Sequence, residues 1–138
     1  MDAEVLLCDN AEALNGKLYI LGGGWSLVNL VAPLRCSLAI RISTAWSEAN
    51  SPHRLKVLLV TQDGNPVLGS DGKPVINEGT FEVGRPVGLV QGEDLVNAVV
   101  LNYEGLDLPA GGYEFRVEID SVLIRTVLFR AIKGVPQP

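Results

Sequence analysis

The sequence has few of the residues on which enzymes and metal sites most often depend. It contains one histidine and two cysteines in 138 residues. A histidine-rich metal site is therefore impossible, and a Ser-His-Asp triad would have to be built around His53. No GxSxG segment or reactive-cysteine motif accompanies that histidine. These absences predict a protein that is not an enzyme and that holds no metal and no cofactor.

The sequence also lacks a basic stripe and a long apolar run. The formal net charge is −5, and the Lys and Arg residues are scattered, whereas nucleic-acid binding depends on clustered cations that neutralise phosphates. No apolar run approaches the ~20 residues that span a bilayer. Asp2 and Glu4 are acidic where a secretory signal would be basic. We therefore expect no nucleic acid or membrane as a partner, and a cytoplasmic location.

The chain has the length of one domain and shows no linker, internal repeat or low-complexity segment. We predict a single domain over residues 1–133, followed by a flexible tail over residues 134–138. Cys8 and Cys36 have no metal-ligand spacing, so they are predicted to be free and buried, with a disulfide between them as the alternative.

A period of two in hydrophobicity runs through the chain. In residues 113–120 the apolar Tyr113, Phe115, Val117 and Ile119 alternate with charged residues, which is typical of a half-buried strand. Residues 36–43 repeat the pattern, with Cys36 on the core face. Seven further strands are predicted at about residues 4–8, 17–21, 25–30, 54–61, 75–83, 95–102 and 124–129. The sequence thus predicts an all-β protein, a single-domain antiparallel β-sandwich of about eight or nine strands with Greek-key or jelly-roll connections.

Helical structure is expected in two short places only. One is a turn around Asn10 to Leu14, and the other is a turn around Ser47 to Asn50, where Ser47 is a candidate cap and Pro52 follows. Both are too short to be stable as isolated helices.

Three consecutive glycines lie in the stretch KLYILGGGW, residues 17–25. A phosphate-binding loop needs a lysine after its glycines and a helix beyond them. Here Lys17 precedes the glycines, and residues of strand composition follow them. Gly22 to Gly24 are therefore predicted to form a bulge or a corner where a strand bends or crosses between sheets.

Several segments together resemble a known family. They are Asp2 to Glu4, Gly16 to Trp25 with the LGGGW motif, Trp46 to Asn50 followed by His53, Phe81 to Pro86, and Leu108 to Tyr113. This pattern resembles an uncharacterised bacterial family of short β-rich proteins, a domain of unknown function, over nearly the whole chain. The resemblance implies no activity, cofactor or catalytic residue.

Three ligand sites can be considered from the residues. Trp46, Glu48 and His53 form a candidate ligand patch, although a histidine at a strand edge is more often structural. Asp63, Asn65 and Asp71 offer oxygen ligands for calcium, although these residues also suit tight turns. Trp25, Trp46 and Tyr19 could form a platform for carbohydrate, although aromatic residues of a small sandwich are more often in the core.

Two predicted strands are apolar on both faces. Leu58 and Val60 lie on the face of residues 54–60 that is opposite the predicted core face, and Val100 lies in a similar apolar strand. Either a loop of the same chain covers these residues, or they form a self-association face. The leading hypothesis is a non-enzymatic binding or assembly module, with a protein partner or a homo-oligomer. The alternative is a carbohydrate- or calcium-binding module.

Overall fold

The structure, a computed structural model, describes residues 1–134. The predicted tail lies outside the described residues except for Gly134. The described part contains nine strands and one 3-10 turn, Trp46–Glu48. The strands are β1 (Asp2–Leu14), β2 (Lys17–Gly23), β3 (Leu27–Leu30), β4 (Leu34–Thr44), β5 (His53–Thr61), β6 (Ile76–Phe81), β7 (Leu95–Leu106), β8 (Gly111–Ile119) and β9 (Val122–Lys133).

The nine strands form two packed sheets, so the predicted all-β sandwich is confirmed. We call the four-stranded sheet, in the order β2-β1-β4-β7, sheet A, and the five-stranded sheet, in the order β3-β9-β8-β5-β6, sheet B. Neighbouring strands are antiparallel with one exception, because β3 runs parallel to β9. The chain reaches β3 from sheet A rather than through a hairpin, so nothing forces that pair to be antiparallel.

The core lies between the sheets and follows the predicted alternation. Tyr113, Phe115, Val117 and Ile119 of β8 are all buried, and Cys36, Leu38, Ile40 and Ile42 of β4 face them from the other sheet. At the centre, the ring of Phe115 lies 5.0 Å from that of Tyr103 and 5.7 Å from that of Phe129, measured between centroids. Both faces that the alternation assigned to the core are therefore in the core.

β1 extends further than the sequence predicted. The expected helical turn over Asn10 to Leu14 is wrong, because the strand continues to Leu14 and reverses at Asn15 and Gly16. Both turn residues have positive φ, 52° and 72°, which is the requirement of the two-residue hairpin turn that Asn-Gly favours. The second helical prediction is confirmed in position, although Ala45 rather than Ser47 precedes the 3-10 turn as its cap.

The outer end of the β1–β2 hairpin, residues 10–21, packs on the outer face of sheet A. We call this segment the arm. Cys8, Ala11 and Ala39 form a small buried cluster there, with Leu18 and Val100 packed against it. This second layer explains why Ala39 is buried although its neighbours Leu38 and Ile40 face the main core. Val100 is therefore covered in part by its own chain.

The three glycines form the predicted corner. β2 ends at Gly23 in sheet A, and the chain enters sheet B at Leu27. Gly22 and Gly24 have φ of 60° and 88°, and the Gly24 N–H donates to the Leu7 carbonyl at 2.8 Å. The corner places Trp25 edge-on against Phe129, with ring centroids 6.1 Å apart. The prediction that these residues bend the chain is confirmed.

Cys8 and Cys36 are free and buried, as predicted. Burial raises the pKa of the Cys36 thiol to about 12 and also raises that of Cys8, and only thiolates react quickly with disulfide reagents. We expect both thiols to react with Ellman's reagent at least about tenfold more slowly in native protein than in urea. A native thiol that reacts as fast as glutathione would contradict this description.

Candidate functional site

The single histidine lies where three segments meet. His53 begins β5, the 3-10 turn precedes it, and Asp120 follows the end of β8. The imidazole is buried, with 8% of its surface exposed. Its Nδ1 lies 2.7 Å from Asp120 Oδ2, and its Nε2 lies 2.8 Å from the carbonyl oxygen of Glu48. The ring of Phe81 covers it, with centroids 5.6 Å apart.

The hydrogen bonds determine the charge of this imidazole. A carboxylate and a carbonyl oxygen both accept, so only an imidazolium, with a proton on each nitrogen, satisfies both partners. The bond to the Glu48 carbonyl and then the bond to Asp120 raise the pKa of His53. Conversely, the bonds from His53 and from the Arg54 N–H lower the pKa of Asp120. Below its raised pKa, His53 is therefore a cation that ties the 3-10 turn to the β8–β9 turn.

Ser51 completes a set of residues that superficially matches a catalytic triad. Its Oγ lies 3.4 Å from His53 Nε2, while Asp120 lies at Nδ1. However, Ser51 Oγ donates to the Glu48 carbonyl at 3.0 Å, and Nε2 donates to the same oxygen. A general base needs a lone pair on Nε2. In this arrangement both donors are committed to Glu48, so the set orders the loop and does not activate the serine.

Trp46 and Glu48, the other members of the predicted ligand patch, lie beside His53 and also have partners within the chain. The Arg85 guanidinium lies 4.7 Å from the centre of the Trp46 ring and donates to the Trp46 carbonyl at 2.7 Å. Glu48 Oε1 accepts from the Ala45 N–H at 3.4 Å. The structure therefore brings the three residues together, and it adds Asp120, which the sequence reasoning missed.

A shallow cleft adjoins this cluster. It has a volume of about 800 Å³ and lies between the β6–β7 connection and the start of β7. Arg85 is the one basic side chain that lines it, and Trp46 already engages that guanidinium. The cleft therefore presents one cation, which Trp46 holds in place.

The calcium candidates Asp63 and Asp71 lie in turns, and the aromatic candidates for a carbohydrate platform lie on different parts of the fold. Asp71 Oδ1 accepts the Lys73 N–H at 2.9 Å, which is ordinary turn bonding. Within residues 1–134, no group of three or more His, Cys, Asp or Glu is arranged to hold a metal ion. Trp25 packs on the core, Trp46 lies under Arg85, and Tyr19 is 53% exposed on the arm. The three aromatic residues therefore do not share one platform.

One lateral side of the sandwich is open. On the opposite side, Arg125 of β9 bridges the sheets, because its Nε donates to the Ala3 carbonyl at 2.7 Å. On the open side, the edges of β6 and β7 flank a groove of about 230 Å³. The apolar residues that line the groove are Leu55, Phe81, Val99 and Leu101. Val99 and Leu101 belong to the core face of β7, yet they remain only half-buried.

The three residues proposed for self-association do not form one surface. Leu58 lies on the outer face of sheet B, between Arg116 and Ile76 on the neighbouring strands, and is half-buried. Val60 is buried, with 4% of its surface exposed. Val100 lies on the outer face of sheet A, partly under the arm. A contact through Leu58 and Val100 would therefore need two opposite faces of the molecule.

The fold and site define an open, two-sheet β-sandwich whose one histidine is bonded at both nitrogens. The model of DUF6941, a family of unknown function, matches residues 4–132. The chain belongs to this family, which agrees with the resemblance in the sequence. No curated protein matches the chain. No helix in the described residues is long and apolar enough to cross a membrane.

The solved structures with weak similarity to the chain include that of a much longer protein. It is the Pseudomonas fluorescens alkylpurine DNA glycosylase AlkC bound to DNA containing an abasic site analog. The similarity has a TM-score of 0.39 and 12% identity, and it covers 78% of this chain and 27% of the glycosylase. A likeness at this level carries no argument about function.

Proposed function

We propose that this protein is a non-enzymatic binding or assembly module that associates with itself or with another protein through the open side of its sandwich. The observation that carries the proposal is the pair of unpaired strand edges, β6 and β7, with an apolar groove between them. Unpaired edges offer backbone donors and acceptors to an added strand, and apolar pockets between them select its side chains.

The remainder of the molecule offers less support for catalysis or for small-ligand binding. The imidazole of His53 is bonded at both nitrogens, and the Arg85 guanidinium stacks on Trp46 and donates to its carbonyl. In contrast, half-buried Val99 and Leu101 leave core-type apolar surface open beside free backbone groups. Such surface is the kind that proteins cover with a partner.

The test is to place a charge in the groove without disturbing the core. Gly79 lies opposite Leu55 on β5, and an added Cβ would have no neighbour within 4 Å. Gly79→Lys should therefore fold normally and weaken association at least about tenfold. Light scattering during size exclusion, from about 1 to 200 µM, measures the mass. These concentrations bracket typical micromolar affinities.

The control is Leu27→Lys, because Leu27 is 58% exposed and lies on β3, the edge strand of sheet B farthest from β6. The control adds the same charge away from the open side, and should associate like the wild type. A wild-type protein that remains monomeric over the whole range would exclude self-association. Equal association of the two variants would exclude the open side as the contact.

A further inference from the structure

β7 is an unprotected edge strand. It has twelve residues, pairs with β4 on one side, and has no neighbouring strand from the described part of the chain on the other. Its first nine residues, 95–103, contain no charged residue and no proline. Its register with β4 is regular from Cys36–Tyr103 to Thr44–Leu95. Natural proteins shield exposed edges with charge, proline, bulges or short length, and this stretch has none of these.

The other three edge strands are shorter than β7. β3 has four residues. β6 has six residues, and its Glu78 forms an ion pair with Arg54. β2 has seven residues, begins with Lys17 and ends at the glycine corner. The contrast indicates that β7 is left available for a partner.

We propose that β7 pairs antiparallel with β7 of a second copy of this chain, so that the two four-stranded sheets become one continuous sheet. This inference deepens the proposed function and rests on it. A two-fold axis brings the same surface of both copies together, so any charge near the axis meets its own copy. In a protein with a net charge of −5, an uncharged strand of this length avoids that repulsion.

The sequence around β7 selects the register. With the two-fold axis at Val99, Asp94 of one copy would lie opposite Glu104 of the other, and like charges in opposite positions destabilise a sheet. With the axis at Ala98, Asp94 lies opposite Asn102 instead. The small Ala98 side chains then meet at the axis, and Val96 of each copy lies opposite Val100 of the other. We therefore place the axis at Ala98.

The same pairing would bury apolar side chains that the single chain leaves half-exposed, and it would bring hydrogen-bond donors near a buried polar atom. Val99 and Leu101 line the groove beside the β7 edge, so a second strand there reduces their exposure. Asn97 Oδ1 is buried and has no hydrogen-bond partner within residues 1–134, and an added strand brings N–H donors to this edge.

The test replaces Ala98 with glutamate. Ala98 lies opposite Arg41 on β4, so the new carboxylate has a cationic neighbour and the single chain should fold normally. In the pair, two carboxylates would meet at the axis. We expect wild-type protein to have twice the chain mass of 14.8 kDa by light scattering, and Ala98→Glu to dissociate at least about tenfold more readily. Leu21→Glu, on the edge strand β2, is the matched control and should behave like the wild type.

Hydrogen exchange of the wild type gives a second measurement that needs no variant. Amides at the free edge of β7 should exchange more slowly as the protein concentration rises through the dissociation constant. If Ala98→Glu fails to fold, Val96→Lys substitutes for it. Val96 is 43% exposed and would lie opposite Val100 of the second copy, so the lysine should weaken the pairing even though it reduces the net negative charge.

The outcomes separate the two proposals. A wild-type dimer that Ala98→Glu leaves intact, or whose β7 amides exchange at the same rate at all concentrations, overturns the β7 pairing and leaves the binding-module proposal standing. A wild-type monomer at all concentrations overturns the pairing together with self-association.

Discussion

Gly22→Val is expected to lower the free energy of unfolding by about 2 to 4 kcal/mol. Gly22 has a φ of 60°, where a β-branched residue is an outlier. A Cβ at this position would also lie 2.7 Å from Asp9 Cγ. Urea unfolding followed by circular dichroism measures the change through its midpoint.

Two variants isolate the causes of that loss. Gly79→Val makes the same substitution where φ is ordinary and the space is open, and should change stability by less than about 1 kcal/mol. Gly22→Val in an Asp9→Ala background removes the collision with the carboxylate, and leaves the backbone cost and a contact of 3.2 Å with the Cβ of residue 9. If Gly22→Val unfolds at the same urea concentration as the wild type, the corner does not depend on glycine.

Asp120→Asn is expected to destabilise the protein by about 1 to 2 kcal/mol near pH 6. A larger loss of stability is not expected, because 45% of the Asp120 side chain is exposed and solvent weakens hydrogen bonds between charged groups. Asparagine preserves the acceptor for the Arg54 N–H and tolerates the positive φ of 51°. The variant therefore removes mainly the negative charge opposite His53.

The pH dependence of this effect has a definite sign. The folded-state pKa of His53 is raised, so its contribution is complete below the unfolded value of about 6.5 and is lost as pH rises through the folded value. The pKa of Asp120 is lowered, so its contribution is complete above about 3.9 and is lost as pH falls through the folded value. The difference between wild type and variant should therefore be largest between about pH 4 and 6.5 and should shrink towards pH 9.

Nuclear magnetic resonance can follow the titration directly, because the protein has one histidine. Its pKa should fall in Asp120→Asn. Asp107→Asn is the control, since it removes an exposed partner of Lys133 at 3.3 Å and should leave both the histidine pKa and the stability nearly unchanged. An unchanged histidine pKa in Asp120→Asn would contradict the imidazolium assignment.

Much of the fold could be predicted because the alternation of apolar and polar residues within a strand shows which of its side chains are buried. The alternation in Tyr113 to Ile119 reports which side chains face the core, whatever strand lies alongside. The Asn10 to Leu14 region was misassigned because its alanines, glutamate and leucine favour helix. The adjacent Asn15-Gly16 pair is a strong hairpin signal and could have corrected the assignment. Which of the three glycines tolerates a side chain least could not be predicted, because that depends on the backbone φ and on neighbours such as Asp9 across the hairpin.

The candidate site was less predictable, because it depends on strand order. His53 and Asp120 are 67 residues apart in the chain. They meet because β8 lies beside β5, with Leu55 opposite Ile119. Hydrophobic periodicity gives the face of each strand but not its neighbour, so the sequence located His53 and Glu48 but gave no reason to select Asp120. For the same reason it could not show that β7 forms an edge.

The parallel pairing of β3 with β9 has a consequence for the kinetics of folding. Leu27–Leu30 finds its hydrogen-bonding partner about a hundred residues later, in Arg130–Lys133. Closing such a long loop is entropically costly before any native contact compensates for it, and folds with many distant pairings fold in milliseconds to seconds. During synthesis, sheet B cannot be completed until β9 has left the ribosome. Until then, the apolar surface of the earlier strands remains exposed. The rate at which β9 docks should therefore determine how long the nascent chain is vulnerable to aggregation.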